Sequence, residues 1–166
     1  MGTHEQPFVV EASQPLIAVL KGRMRAIDER TCRDTISVGA GAGLQWSFDA
    51  SPVSWVCLDP TGSPDDEPQP VFAWGAASLS VLQYKGIPWF MGSDRIGALG
   101  LRILRQSSRY LALLFEHFDF LENMVDNRHQ KSVAWLRWCG FHMSEPQPHG
   151  DNNIPCRRFW LARKEF

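Results

Sequence analysis

One pattern in the second half of the chain constrains the fold more than any other. Leu101, Leu104, Ser108, Leu111, Phe115 and Phe118 recur at three- and four-residue spacing, which predicts a long helix with one apolar side. A short apolar run, Ile87 to Met91, precedes it and is closed by Gly92. Another, Phe120 to Asp126, follows it at once and leads into a second helical stretch, Arg128 to Cys139. Gly140 then stands where a left-handed C-cap is expected. Strand, helix, strand, helix implies a sheet with helices packed on it.

The first half adds to this order. Phe8 to Glu11 reads as a strand, and Ser13 is placed to cap a helix carrying Leu16, Leu20, Met24 and Ile27. Trp55 to Leu58 and Val71 to Trp74 are β-rich and flank Asp59 to Pro70, whose Pro, Asp and Gly content suits a long hairpin loop. Phe141 to Ser144 and Arg157 to Ala162 read as a last strand pair around a Pro-rich loop. The whole order predicts a mixed α/β sheet covered on both faces by helices, in one domain spanning residues 1–166. Gly39, Gly41 and Gly43 suggest a phosphate loop, but no Gly-Lys-Ser/Thr follows, so a flexible connection is the expectation.

Seventeen Lys plus Arg against eighteen Asp plus Glu leave a formal charge of −1, so no bulk field draws the chain to nucleic acid or anionic lipid. The longest uncharged stretch, Pro68 to Gln83, is too short and too interrupted to span a membrane. Cys32, Cys57, Cys139 and Cys156 are widely spaced without a CxxC pair, which favours reduced thiols and a cytoplasmic setting. His117, His142 and His149 show no ligand spacing, and no metal site is expected. Trp135, Trp138 and Cys139 read as packing residues.

The string NRHQKSVAWLRWCGF, Asn127 to Phe141, resembles the segment of GNAT-type N-acyltransferases in which a strand runs into Asn-x-x-Ser/Ala, a short helix and Gly-Phe. With GIPWFMGSD (Gly86 to Asp94) and FLENMVD (Phe120 to Asp126), the chain also resembles a phage-associated GNAT-like group that includes internal virion proteins of podophages. MRAID, Met24 to Asp28, is the best N-terminal echo. The resemblance implies an α+β, mostly antiparallel sheet with a splayed parallel pair. It also implies acetyl-CoA as cofactor and transfer of an acyl group to an amine by direct attack. In such a splay, backbone groups that lose their ladder partners bind the pantetheine arm, and a diphosphate sits where the next helix begins.

Carried onto this chain, the cofactor would be met by Met91, Arg95, Gly97, Gly100, Asn123, His129 and Ser132. The usual Gln/Arg-x-x-Gly-x-Gly/Ala loop is replaced by RIGALG, Arg95 to Gly100, with altered spacing. His129 takes the place of the motif's Asn. Leu136 takes the place of the Tyr that customarily protonates the departing thiolate, so Tyr110 or water would serve instead. Glu122 is the first candidate for the base, because a lone carboxylate on a central strand is costly unless paired, hydrated or used; Asp94 is the second. The acceptor amine is open: a protein, a small molecule or an amino-modified base. A homodimer is left open, as is a location in the host cytoplasm or the virion. The altered loop, His129 and Leu136 also fit an alternative, a GNAT-shaped phage virion or host-interaction protein that has lost catalysis.

Overall fold

The computed structural model describes residues 8–61, 66, 67, 69–79 and 84–166. Its strands are β1 (Val9–Glu11), β2 (Val53–Leu58), β3 (Pro70–Ala77), β4 (Lys85–Gly92), β5 (Phe120–Asp126), β6 (His142–Met143), β7 (Gln147–His149) and β8 (Ile154–Ala162). The helices are α1 (Gln14–Lys21), α2 (Ala26–Ile36), α3 (Ala40–Asp49), α4 (Gly100–Phe115) and α5 (Gln130–Trp138). Among the described residues these eight strands join one sheet in the order β1-β2-β3-β4-β5-β8-β6, with β7 also paired to β8. The pairing is antiparallel except between β4 and β5.

β3, PVFAWGAA, is buried along its whole length because it is covered on both faces. Alternation sends Phe72, Trp74 and Ala76 to a core with Tyr110, Leu111, Leu114 and Phe115 of α4 and Leu136 of α5. Ala73 faces the opposite core, where Ile17 and Leu20 of α1, Cys32 of α2, and Ala40 and Leu44 of α3 meet Val56 and Met91. Gly92 ends β4 where the chain approaches β3 too closely for a side chain. A Cβ there would fall 2.5 Å from the Phe72 Cβ and 2.7 Å from the Val71 carbonyl. Gly140 adopts φ +95°, the left-handed geometry expected of it.

Several local expectations are corrected. The single helix expected after Ser13 is two, α1 and α2, broken where Arg23 N–H closes on the Leu20 carbonyl and Arg25 N–H on the Gly92 carbonyl. Ser13 stands at the N-cap position of α1 without a side-chain capping bond. The glycine-rich run is helix α3 rather than a flexible connection. Gly43 is retained there because a Cβ would meet the Cys32 sulfur at 2.8 Å, so the glycines let α3 lie against α2. On α4 the buried face is Ile103, Ser107, Tyr110, Leu111, Leu114 and Phe115, while Leu101 is 72% exposed. Trp138 is likewise exposed at 63% and is no core residue. The Pro-rich loop contains the short strand β7. The hairpin loop expected over Asp59 to Pro70 falls partly outside the described residues.

Candidate functional site

The parallel ladder between β4 and β5 holds for two pairs only, Lys85 with Phe120 and Gly86 with Leu121. Its continuation would set Pro88 opposite Asn123. Pro88 has no N–H, so the donor that would extend the ladder is missing. Its carbonyl takes a hydrogen bond from the Asn123 side-chain Nδ2 at 2.8 Å, while the Asn123 Oδ1 accepts from the Met124 backbone N–H at 2.7 Å. One amide side chain therefore satisfies a backbone group on each strand where the ladder stops. Beyond this bridge the strands diverge. β-pleat alternation turns the Phe90 N–H and carbonyl toward the opening, as it does those of Pro88.

The far lip is held by α2. The Asp28 carboxylate accepts the Gly92 N–H at 3.1 Å and both the Arg25 Nε and Nη2 at 2.9 Å. On the other strand, the buried Asp126 accepts from Thr31 Oγ1 of α2 at 3.1 Å and from Arg128, which also reaches Asp34. Burial raises the Asp126 carboxyl's affinity for a proton, but the Arg128 side-chain and backbone hydrogen bonds outweigh it and hold the pKa below the usual carboxylate value.

A cavity of about 220 Å³ fills the opening and continues beneath the sheet. Met91, Asn123, His129 and Ser132 line it, together with Arg25, Asp28, Phe90, Tyr110 and Trp135. A wider outer groove of about 1040 Å³ adjoins it at the start of α4, bordered by Asp94, Gly97, Gly100, Arg102, Arg105, Lys131, His129 and Ser132. Gly97 and Gly100 have open space where a Cβ would stand. His129 precedes α5, and Ser132 Oγ lies 2.9 Å from its Nδ1. Burial, then the nearby Arg25 charge, lowers the His129 pKa.

On the α1–α3 side of the sheet a second cavity, about 290 Å³, is lined by Leu79, Lys85, Ile87, Glu122, Asn123, Met124 and Arg158. Asn123 and Met124 border both this cavity and the first.

Most of the expected cofactor residues thus gather at the opening and its groove: Met91, Asn123, His129 and Ser132 around the cavity, Gly97 and Gly100 outside it. Arg95 is turned away. Its guanidinium pairs with Asp59 at 2.8 Å and reaches Thr61 at 3.3 Å. The three residues expected to do acid–base work are dispersed. Asp94 lies at the outer groove, Glu122 in the second cavity, and Tyr110 in the core with its hydroxyl 3.6 Å from Cys57 Sγ. Glu122 is no lone carboxylate: Lys85 and Arg158 both pair with it, and the Lys85 bond foremost lowers its pKa, which weakens it as a base. Burial pushes the Tyr110 phenol far above its usual range, so it holds its proton and serves as a hydrogen-bonding hydroxyl rather than as an acid. Burial raises the thiol of Cys57 to about 12 and that of Cys139 to about 11, so neither is an ionised nucleophile near neutrality.

Sequence reasoning missed Arg25, Asp28, Arg102, Arg105 and Lys131 as site residues. Arg25 and Asp28 had a signal in the MRAID string. The other three are ordinary cations until α4 and α5 set them around one groove. Among the described residues no cluster of His, Cys, Asp and Glu is arranged to hold a metal ion, and no helix is long and apolar enough to cross a membrane.

No family model matches the sequence, and no curated protein matches it. Solved structures do share the fold. A GCN5-related N-acetyltransferase from Kribbella flavida superposes with TM-score 0.62 at 13% identity, covering 93% of this chain and 96% of that one. Ribosomal-protein-S5-alanine acetyltransferase from Vibrio fischeri gives 0.64 at 10%, covering 95% and 93%. Spermidine N-acetyltransferase from Vibrio cholerae, in complex with CoA and spermine, gives 0.57 at 10%, covering 95% of each. The chain has the fold of GNAT-type acetyltransferases: a mixed, mostly antiparallel sheet with one parallel pair and helices on both faces.

Proposed function

We propose that this chain is an acyl-CoA-dependent N-acyltransferase acting on an amine. The carrying observation is that two cavities reach the same point, Asn123 and Met124, from different sides of the sheet. A thioester entering through the β4–β5 opening and an amine entering from the second cavity would meet there. Bound acyl-CoA supplies an activated thioester, whose acyl carbon forms a C–N bond as the C–S bond breaks, the proton lost by the amine passing to the thiolate.

The residues present fit such a ligand. Phe90 offers a backbone donor and acceptor along one edge, the pairing that an inserted amide-bearing arm requires. The groove sets Arg102, Arg105 and Lys131 near the start of α4, with Gly97 and Gly100 leaving the backbone open to a diphosphate. His129 and Ser132 stand between groove and cavity. In the second cavity Glu122 attracts and orients a cationic amine, and its low pKa assigns removal of the amine proton chiefly to water. Tyr110 keeps its proton, so solvent protonates the thiolate. Arg95 contributes only on leaving Asp59, and Asp94 lies on the diphosphate side.

The neighbours of the same fold that are acetyltransferases, one of them holding CoA and spermine, support this reading. A second reading is a catalytically silent virion or host-interaction protein of a phage. The double pairing of Glu122 favours it, since that carboxylate has charge partners without any substrate. Titration calorimetry with acetyl-CoA and CoA separates the two: saturable binding at one site supports the transferase, and no heat at millimolar ligand removes it. Thiol release with a panel of amines then identifies the acceptor.

A further inference from the structure

The cavity at the splay is lined by the helices packed on the sheet as well as by the two strands. Past Trp135 it runs between the sheet and the two helices beneath, to an inner end lined by Leu111, Leu114, Leu136, Phe141 and Phe159. Ser107, Leu111 and Leu114 lie along one side of α4, and the span from Ser107 to Leu114 is about 10 Å at the helical rise of 1.5 Å per residue. A two-carbon acyl group would occupy only the beginning of this space.

The inner end is suited to hydrocarbon and not to water. Its polar neighbours are engaged but for one: Ser107 Oγ donates to the Ile103 carbonyl at 2.8 Å and accepts from Trp135 Nε1 at 2.9 Å, the Tyr110 hydroxyl contacts the Cys57 sulfur, and Trp74 Nε1 alone lacks a partner, a single donor where water needs more. Ordered water needs two to four polar partners, and a cavity without them stays dry and receives apolar ligands. Protein interiors are otherwise packed with few voids, so a dry space continuous with the proposed thioester site calls for an occupant.

We infer that the chain accepts acyl groups longer than acetyl, with a straight chain in the butyryl-to-octanoyl range lying along α4 beneath the sheet. This rests on the transferase reading and extends it to the acyl donor. The bond changes are those of acetyl transfer: the acyl carbon leaves sulfur for the amine nitrogen, and the tail takes no part.

The test is calorimetry on the full chain with CoA, acetyl-, butyryl-, hexanoyl- and octanoyl-CoA, alongside Leu114→Phe and Leu136→Phe. The expected result is affinity that rises roughly fourfold for each methylene added between acetyl and hexanoyl, the gain for burying a CH2 group. The hexanoyl-to-acetyl affinity ratio, which does not depend on the amount of folded protein, falls about tenfold or more in a variant that fills the inner end. Either variant suffices if the other does not fold. Acetyl-CoA binding as tightly as hexanoyl-CoA, or more tightly, overturns the inference and leaves the transferase reading standing. Absence of binding by every CoA species overturns both.

Discussion

The side chain of Asn123 stands in for the strand that Pro88 cannot pair with: its Nδ2 donates to the Pro88 carbonyl at 2.8 Å and its Oδ1 takes the Met124 N–H at 2.7 Å. The two residues face each other two positions past Gly86 and Leu121, the last pair of the β4–β5 ladder. Proline opens the sheet, and the amide closes off the polar groups the opening would strand.

Replacing Asn123 with alanine strands two backbone groups at the apex. The expected loss is about 1–3 kcal/mol of stability, the usual cost of leaving a buried polar group unpaired. Chemical denaturation measures it, and the same variant weakens acetyl-CoA binding because the apex is no longer fixed. A change within error would show that water replaces the amide without cost.

Pro88→Ala returns an N–H directed toward β5. Hydrogen exchange should then slow along β4 and β5 as the apex moves outward. Acetyl-CoA affinity should fall roughly three- to tenfold, about what one net backbone hydrogen bond in competition with the ligand produces. Affinity equal to that of the unaltered protein would mean that the opening does not depend on the missing donor.

Glu122→Gln removes the anion shared by Lys85 and Arg158. Both cations are partly exposed, so the stability cost is modest, about 1 kcal/mol or less. Acyl transfer to a cationic amine falls through a higher KM, while acetyl-CoA affinity is retained. A fall confined to kcat with KM unmoved would make Glu122 the base after all.

Asp126 ties α2 to β5 through Thr31 and Arg128, and its folded pKa lies below the ordinary value of 3.8. The unfolded chain therefore takes up this proton first as pH falls. The contribution is complete above the unfolded pKa and is lost as pH drops through the folded one. Thermal unfolding from pH 7 to pH 3 should show a decline below about pH 4, shallower in Asp126→Asn. A variant with the same pH slope as the unaltered protein would contradict the assignment.

The order of elements along the chain was legible because strand and helix periodicities alternate cleanly from Ile87 onward, and β5 falls on the expected residues, Phe120 to Asp126. Helix α3 was not, since its glycines signal a loop locally and become helical only where Gly43 packs on Cys32. The α4 face was displaced because Leu101 and Leu104 fit the apolar period yet face outward, leaving Ile103 and Ser107 to make the contact. Among site residues, Asn123 and His129 could be reached from the chain's resemblance. The pairing of Glu122 could not, because Lys85 and Arg158 lie 37 and 36 residues away in sequence. Arg95 illustrates the same limit: its position in the loop suggested a phosphate ligand, and a long-range contact with Asp59 turns it elsewhere.

A crystal structure of the full chain with acetyl-CoA tests the account at its center. It should place the pantetheine arm between β4 and β5, with an amide of the arm or the thioester carbonyl hydrogen-bonded to the Phe90 backbone and the diphosphate against Gly97 and Gly100. Ligand bound at any other surface, with the Phe90 N–H and carbonyl engaged by β5 itself, would contradict it.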